Sequence, residues 1–313
     1  MSLAVQNQAA LETSQLTMIK NILCAVDHSP SSLQALGYAI AIARWHGARL
    51  NLLEVIETPA PRALSRTPKH YGLPKRTRKA VEDDLSRVLV SRGTSDLKVG
   101  IFVRAGNVVQ ETLAQVKASR SDLVVIGSHG RGGVQRLVLG SVAERILRLA
   151  NCPVLTVRRG VNRARRRGSP FETVLCATDF SAAANKAVAY AKRLAEEADA
   201  RLILMSAVEW PLGETAMSAA VAQLRKSIEA RAREALARLL PRPGSAKLPA
   251  EPIVAIGKPS AAIVKVARTR SADLIVMGVS GRGALDMALL GSTTHHVIRE
   301  AASPVLTVRS VKR

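Results

Sequence analysis

Two stretches of the chain share one pattern of small residues. Gly127–Ser141 reads GSHGRGGVQRLVLGS and Gly278–Ser292 reads GVSGRGALDMALLGS. Each runs glycine, two residues, glycine, nine residues, then Gly-Ser. Residues of these types at this spacing can hold a phosphate. Gly127 and Gly130, like Gly278 and Gly281, let a backbone adopt positive φ and approach a ligand without a Cβ in the way. Gly140-Ser141 and Gly291-Ser292 precede helices, whose free N–H groups and dipole attract an anion, and each serine hydroxyl adds a donor. Arg131 and Arg282 lie inside the loops and supply positive charge. An aspartate closes an apolar run upstream in each half, Asp27 after NILCAV and Asp179 after TVLCAT. Such a carboxylate can accept from a ribose hydroxyl or an adenine amine. The same glycines also suit a purely structural purpose, because glycine ends strands and Gly-Ser is an ordinary helix start. The spacing recurs while the interior differs, RGGVQRLVL against RGALDMALL, and that favours the phosphate reading.

Competing chemistries fail on spacing. No Gly-Lys-Ser/Thr follows a glycine loop, as a Walker A site requires. The first strand leads into Asp-His-Ser or Asp-Phe-Ser rather than a Rossmann G-x-G-x-x-G. No G-x-S-x-G elbow occurs. His295 and His296 are adjacent, so on a helix they diverge by about 100° and make a poor metal pair. His129 sits in the first glycine loop where the second has Ser280, so it reads as a loop histidine. Asp27 and Asp179 fall one per half and cannot form an acid/base pair. We therefore expect no catalytic residue and no metal ligand.

The elements that must position these residues come in two copies. NILCAVDHS (Asn21–Ser29) matches TVLCATDFS (Thr173–Ser181), SDLVVIG matches ADLIVMG, and CPVLTVR matches SPVLTVR. The offset is 152 residues early and 151 late, too long for a solenoid repeat, so a whole domain is duplicated. In copy one, strands are expected over Ile19–Val26, Arg49–Ile56, Leu97–Val103, Asp122–Ile126 and Pro153–Val157. Helices are expected from Ser29–Ser32 to Trp45, over Arg78–Ser91, Val108–Lys117 and Ser141–Leu149. The proline-rich basic stretch Glu57–Thr77 reads as irregular. Copy two repeats the order, with a long helix over Met217–Leu239. Strands alternating with helices give an α/β fold: a parallel sheet in three α/β/α layers, with right-handed crossovers. Ligands bind beyond the carboxyl ends of such strands, where Asp27 and Gly127 meet if strands one and four are neighbours. The expected division is a flexible tail over 1–17, domains over 18–160 and 171–313, and a basic linker over 161–170.

Composition constrains the partners. Aromatics make up only 3% of the 313 residues, so Val, Ile, Leu and Ala must build the core. A net charge of +22 is spread over both halves. It attracts anions diffusely, yet no basic-and-aromatic stripe points to nucleic acid as a partner. Cys24, Cys152 and Cys176 form no disulfide framework. No apolar run reaches the ~20 residues of a membrane span, and MSLAVQNQAALETSQLT is not a secretory signal. A cytoplasmic protein is the expectation.

The G-x2-G-x9-G-[ST] pattern, the aspartate closing strand one and the final CPVLTV or SPVLTV strand together resemble the universal stress protein family. The resemblance covers residues 18–160 and 171–313 as a tandem pair. It implies a five-stranded parallel sheet in the order 3-2-1-4-5, of the adenine nucleotide alpha hydrolase-like kind, and the subgroup that binds ATP, with Mg²⁺ as an accompanying ion. By that resemblance Asp27 and Asp179 would contact adenosine, and Val55 and Ala207 would offer backbone groups to adenine. Gly127 and Gly278 would line the ribose. Gly130, Gly140 and Ser141, with Gly281, Gly291 and Ser292, would hold phosphates. It also implies pairing through the last strands, Pro153–Val157 and Pro304–Val308, as a pseudo-dimer within the chain, with a homodimer as a further assembly. The function implied is a nucleotide-binding sensor or adaptor in the stress response. An interaction module that docks an acidic partner without nucleotide, and a slow ATPase, are the alternatives.

Overall fold

The computed structural model describes residues 19–58, 75–130, 139–161, 168–209, 219–240, 248–279 and 290–309. The chain divides into two compact units, one spanning Ile19–Gly168 and the other running from Ser169 onward. Each is described by itself.

The first unit holds β1 (Asn21–Ala25), α1 (Pro30–His46), β2 (Arg49–Glu57), α2 (Lys75–Ser91), β3 (Val99–Gly106), α3 (Val108–Ala118), β4 (Leu123–Gly127), α4 (Ser141–Leu149) and β5 (Val154–Val157). Its strands are parallel in the order β3-β2-β1-β4-β5. The second unit repeats this with β6 (Thr173–Ala177), α5 (Ala182–Ala198), β7 (Arg201–Val208), α6 (Ala219–Leu239), β8 (Ala250–Ile256), α7 (Pro259–Thr269), β9 (Leu274–Val279), α8 (Ser292–Glu300) and β10 (Val305–Arg309). Its order is β8-β7-β6-β9-β10, again parallel.

Strands buried on both faces read as continuous apolar runs. Ile22, Leu23, Cys24, Leu52, Leu53, Val124 and Val125 are fully buried, as are Val174, Leu175, Cys176, Leu204, Ile275 and Val276. Alanines let the helices lie close on the sheet: Ala35, Ala39 and Ala43 on α1, and Ala187, Ala191 and Ala195 on α5, are buried completely. Asp122 joins the start of β4 to β1, its Oδ2 accepting the N–H groups of Lys20 and Asn21 at 2.9 Å. Asp273 does the same for Glu172 and Thr173.

The helix ends follow their residues. Ser29 caps α1 by accepting the N–H of Ser32, and Gly47 closes it at φ 63°. Asp199 closes α5 at φ 50°, in the left-handed region that asparagine and aspartate tolerate best after glycine. The third strand begins later and runs further than its apolar pattern predicts. Its ladder with β2 continues to Glu57↔Gly106, and Gly106 turns the chain away at φ 145°. Gly257 does so after β8 at φ 119°. Helix α2 begins at Lys75, within the stretch expected to be irregular.

Candidate functional site

The carboxyl end of the first unit's sheet carries the site. β1 pairs β4 with Cys24 opposite Val125, so the register carries Asp27 alongside Ser128, just past Gly127. Asp27 Oδ1 accepts the N–H of Ser29 at 3.0 Å, and its own N–H donates to Ser32 Oγ at 3.3 Å. Asp179 accepts from Ser181 at 3.0 Å. Each aspartate thus shapes its own strand-to-helix turn, whose middle residue, His28 or Phe180, is left-handed at φ 60° or 62°. The matching angles make this a property of the fold rather than of either side chain.

The glycines have different tasks from those expected. None of Gly127, Gly130 and Gly278 lies at positive φ. A Cβ on Gly127 would fall 2.7 Å from Ser32 N and 2.8 Å from Ser31 Oγ. On Gly278 it would fall 2.5 Å from Ala183 O and 2.7 Å from Ala184 N. The first glycine of each pattern therefore lets the fourth strand press against the first turn of the helix after strand one. Gly130 differs: its Cβ would meet the tip of Asp27, Oδ2, at 2.9 Å. The chain there passes directly over the aspartate. Gly140 donates its N–H to Ser128 O at 2.9 Å, and a Cβ on it would lie 3.2 Å from that oxygen. Arg131, Gly281 and Arg282 lie outside the described residues.

Helix starts are the second component. Ser29, Asn107 and Ser181 cap α1, α3 and α5 through their side chains. α4 and α8 start at Gly140 and Gly291, which have no side chain to cap their first turns. Ser141, Val142 and Ala143 of α4 line a cavity of about 800 Å³, a volume suited to a nucleotide-sized ligand. Asp27, Val55, Gly127, Gly130 and Gly140 line it as well. Asp179, Ala207, Gly278, Gly291 and Ser292 occupy the matching positions of the second unit.

Val55 contributes main chain. Along a parallel strand, successive residues direct their N–H and C=O groups to alternate neighbours. Leu53 O accepts from Val26, on the β1 side, and β1 ends at Ala25. The backbone groups of Val55 therefore point past the end of β1, toward the cavity. Met205 O accepts from Thr178 in the same way, which gives Ala207 the same role. Replacing valine by alanine does not alter these groups.

Several lining residues carry no motif. Ser29 Oγ and Ser31 Oγ donate to the carbonyl of His129 at 3.2 and 2.5 Å, tying the glycine loop to the start of α1. His129 Nδ1 lies 2.7 Å from Ser128 Oγ, and the residue lines the cavity. Glu54, beside Val55, is only 6% exposed and lines it too. His28 Nε2 lies 2.9 Å from Glu54 Oε2. The legible signal was the mismatch between copies: Ser31, Ser128 and Glu54 face Ala183, Val279 and Ser206.

The universal stress protein family model matches residues 18–158 and 170–309. The chain belongs to the universal stress protein family. It carries two tandem domains of that family. A universal stress protein of Thermus aquaticus is 38% identical over 143 residues, 44% of this chain and 99% of that one. One from Mycobacterium tuberculosis is 30% identical over 194 residues, 61% of this chain and 63% of that one. The crystal structure of a universal stress protein from Archaeoglobus fulgidus superposes with a TM-score of 0.65 at 23% identity, covering 92% of this chain and 98% of that one. This last likeness is one of fold.

The remaining reactive groups lie elsewhere. Cys24 and Cys176 are buried, and burial pushes their thiols up to about 12. His296 bonds Glu300 at 3.0 Å on one helix face. Among the described residues no three His, Cys, Asp or Glu side chains are grouped to hold a metal ion, and no helix is long and apolar enough to cross a membrane.

Proposed function

We propose that this universal stress protein belongs to the ATP-binding subgroup and acts in the stress response as a nucleotide-dependent sensor or adaptor. One observation carries the reading: a single cavity brings together the uncapped start of α4, the outward-facing backbone of Val55 and the carboxylate of Asp27. The helix N-terminus suits the phosphates, since its N–H groups and dipole favour negative charge. Gly130 leaves room for the Asp27 carboxylate and Gly140 for the Ser128 carbonyl, which lets the glycine loop lie close to the helix start, and Ser141 supplies a hydroxyl. An N–H and a C=O side by side on Val55 match the acceptor and donor on the edge of adenine. Asp27 takes a ribose hydroxyl. A Mg²⁺ ion that arrives with the triphosphate prefers few protein ligands and several phosphate and water oxygens, and the Ser141 hydroxyl would be an oxygen donor available to it. ATP then serves as a bound signal rather than a rapidly consumed substrate.

Calorimetric titration of the full chain with Mg-ATP tests this. Binding is expected in the wild type and its loss from the first unit in Gly130→Asp, which sets a second carboxylate against Asp27. No heat from the wild type would overturn it. Gly127 and Gly278 favour a second reading, an interaction module without nucleotide, because steric demands of the fold already explain both glycines. That reading expects a silent titration.

A further inference from the structure

We infer that Glu54 is a base-selecting residue of the first unit's cavity, accepting a hydrogen bond from the 6-amino group of a purine nucleotide. The inference rests on the nucleotide reading above, with the base lodged against Val55. Glu54 is next to Val55 on β2 and forms part of the same cavity wall. Its side chain is 8% exposed, against 33% for its partner His28. A carboxylate this buried costs free energy unless it is hydrogen-bonded. His28 meets that need at Oε2, 2.9 Å away, and holds the group in place. An ionised carboxylate only accepts, so beside the base it favours an amino group and disfavours a carbonyl or a bare C–H.

The second unit supplies an internal comparison. Phe180 has the backbone angle of His28, φ 62° against 60°, and Ser206 replaces Glu54 with 5% exposure. The turn is unchanged while both members of the pair are gone. A serine hydroxyl is shorter, and it donates as readily as it accepts, so it does not select an amino group. The second unit therefore lacks this added selection while keeping the main-chain reader, Ala207 in place of Val55.

The decisive probe is purine riboside triphosphate, which lacks only the 6-amino group of ATP. Affinities of ATP and this analogue are measured by calorimetry on the full chain carrying Gly281→Asp, which blocks the second unit's glycine loop. ATP is expected to bind at least about tenfold more tightly, the worth of one charge-assisted hydrogen bond. The double variant His28→Phe/Glu54→Ser transplants the second unit's pair and removes a partly buried hydrogen-bonded pair whole, so no partner is left unsatisfied. It is expected to keep ATP binding and to lose the part of the preference that Glu54 supplies, leaving the part supplied by the Val55 carbonyl. Glu54→Gln retains a neutral acceptor and is expected to lower the preference severalfold. An unchanged ratio in the double variant, or in Glu54→Gln should the double variant fail to fold, overturns the inference and leaves the nucleotide reading standing. Absence of ATP binding in the parent chain overturns both.

Discussion

Gly127 and Gly278 leave no room for a methyl group, because the first helical turn of α1 or α5 lies within 2.9 Å of where it would sit. Apart from Ser31 Oγ, these contacts are to backbone, which cannot swing aside. Gly127→Ala and Gly278→Ala are each expected to cost about 1–3 kcal/mol, the usual penalty of overpacking. A methyl on Gly291 meets no described atom within 4 Å, so Gly291→Ala is expected to cost less than about 1 kcal/mol, the amount by which alanine trails glycine at an N-cap. Equal losses at all three positions would refute the steric assignment. Buried thiols give a second test at this scale. Cys24 and Cys176 sit near 12 in the fold against an ordinary value of 9.0. Folding thus favours the protonated form. That stabilisation is complete below pH 9 and is lost as pH rises from 9 towards 12, because only the unfolded thiols ionise in that window. Stability should fall over this range, and less steeply in Cys24→Ala/Cys176→Ala.

At the scale of elements, α4 and α8 start at a glycine, whereas α1, α3 and α5 carry a side-chain cap and α7 starts at an uncapped Lys258. Gly291→Asp would place a carboxylate on the open turn of α8, where nothing obstructs it. Aspartate at an N-cap exceeds glycine by a few tenths of a kcal/mol and also complements the dipole. The variant is expected to be slightly more stable and to bind no nucleotide in the second unit, as read by thermal unfolding and by titration. Unaltered nucleotide binding by this variant would show that the helix start is not the phosphate site. The elements themselves were legible where physics is local: the apolar runs of β1 and β4, the Ser29 cap, Gly47 at the end of α1, and Ser141 at the start of α4. β3 was displaced because an edge strand is set by its ladder with β2 rather than by apolar periodicity. In the site, Asp27, Gly130 and Gly140 were readable from spacing. The purpose of Gly127 was not, since steric contact with α1 is a tertiary fact. For Glu54 and Ser31 only the mismatch between the copies was legible, because the contact each makes is with a neighbour distant in sequence.

At the scale of the whole molecule, duplication has produced two versions of one sheet end. Ser31, Ser32, Thr112 and Ser128 in the first unit become Ala183, Ala184, Ile263 and Val279 in the second. The hydroxyl of Ser31 that ties the glycine loop to α1 has no counterpart on Ala183. A loop held in place before binding loses less conformational freedom when a ligand arrives, so the first unit should bind more tightly. Native mass spectrometry of the intact chain with Mg-ATP reads this directly. One nucleotide per chain is expected at low ATP and a second only at higher concentration. Gly130→Asp should abolish the first, tighter occupancy. A chain that stays bare at every ATP concentration, or that fills identically with and without Gly130→Asp, would contradict the account.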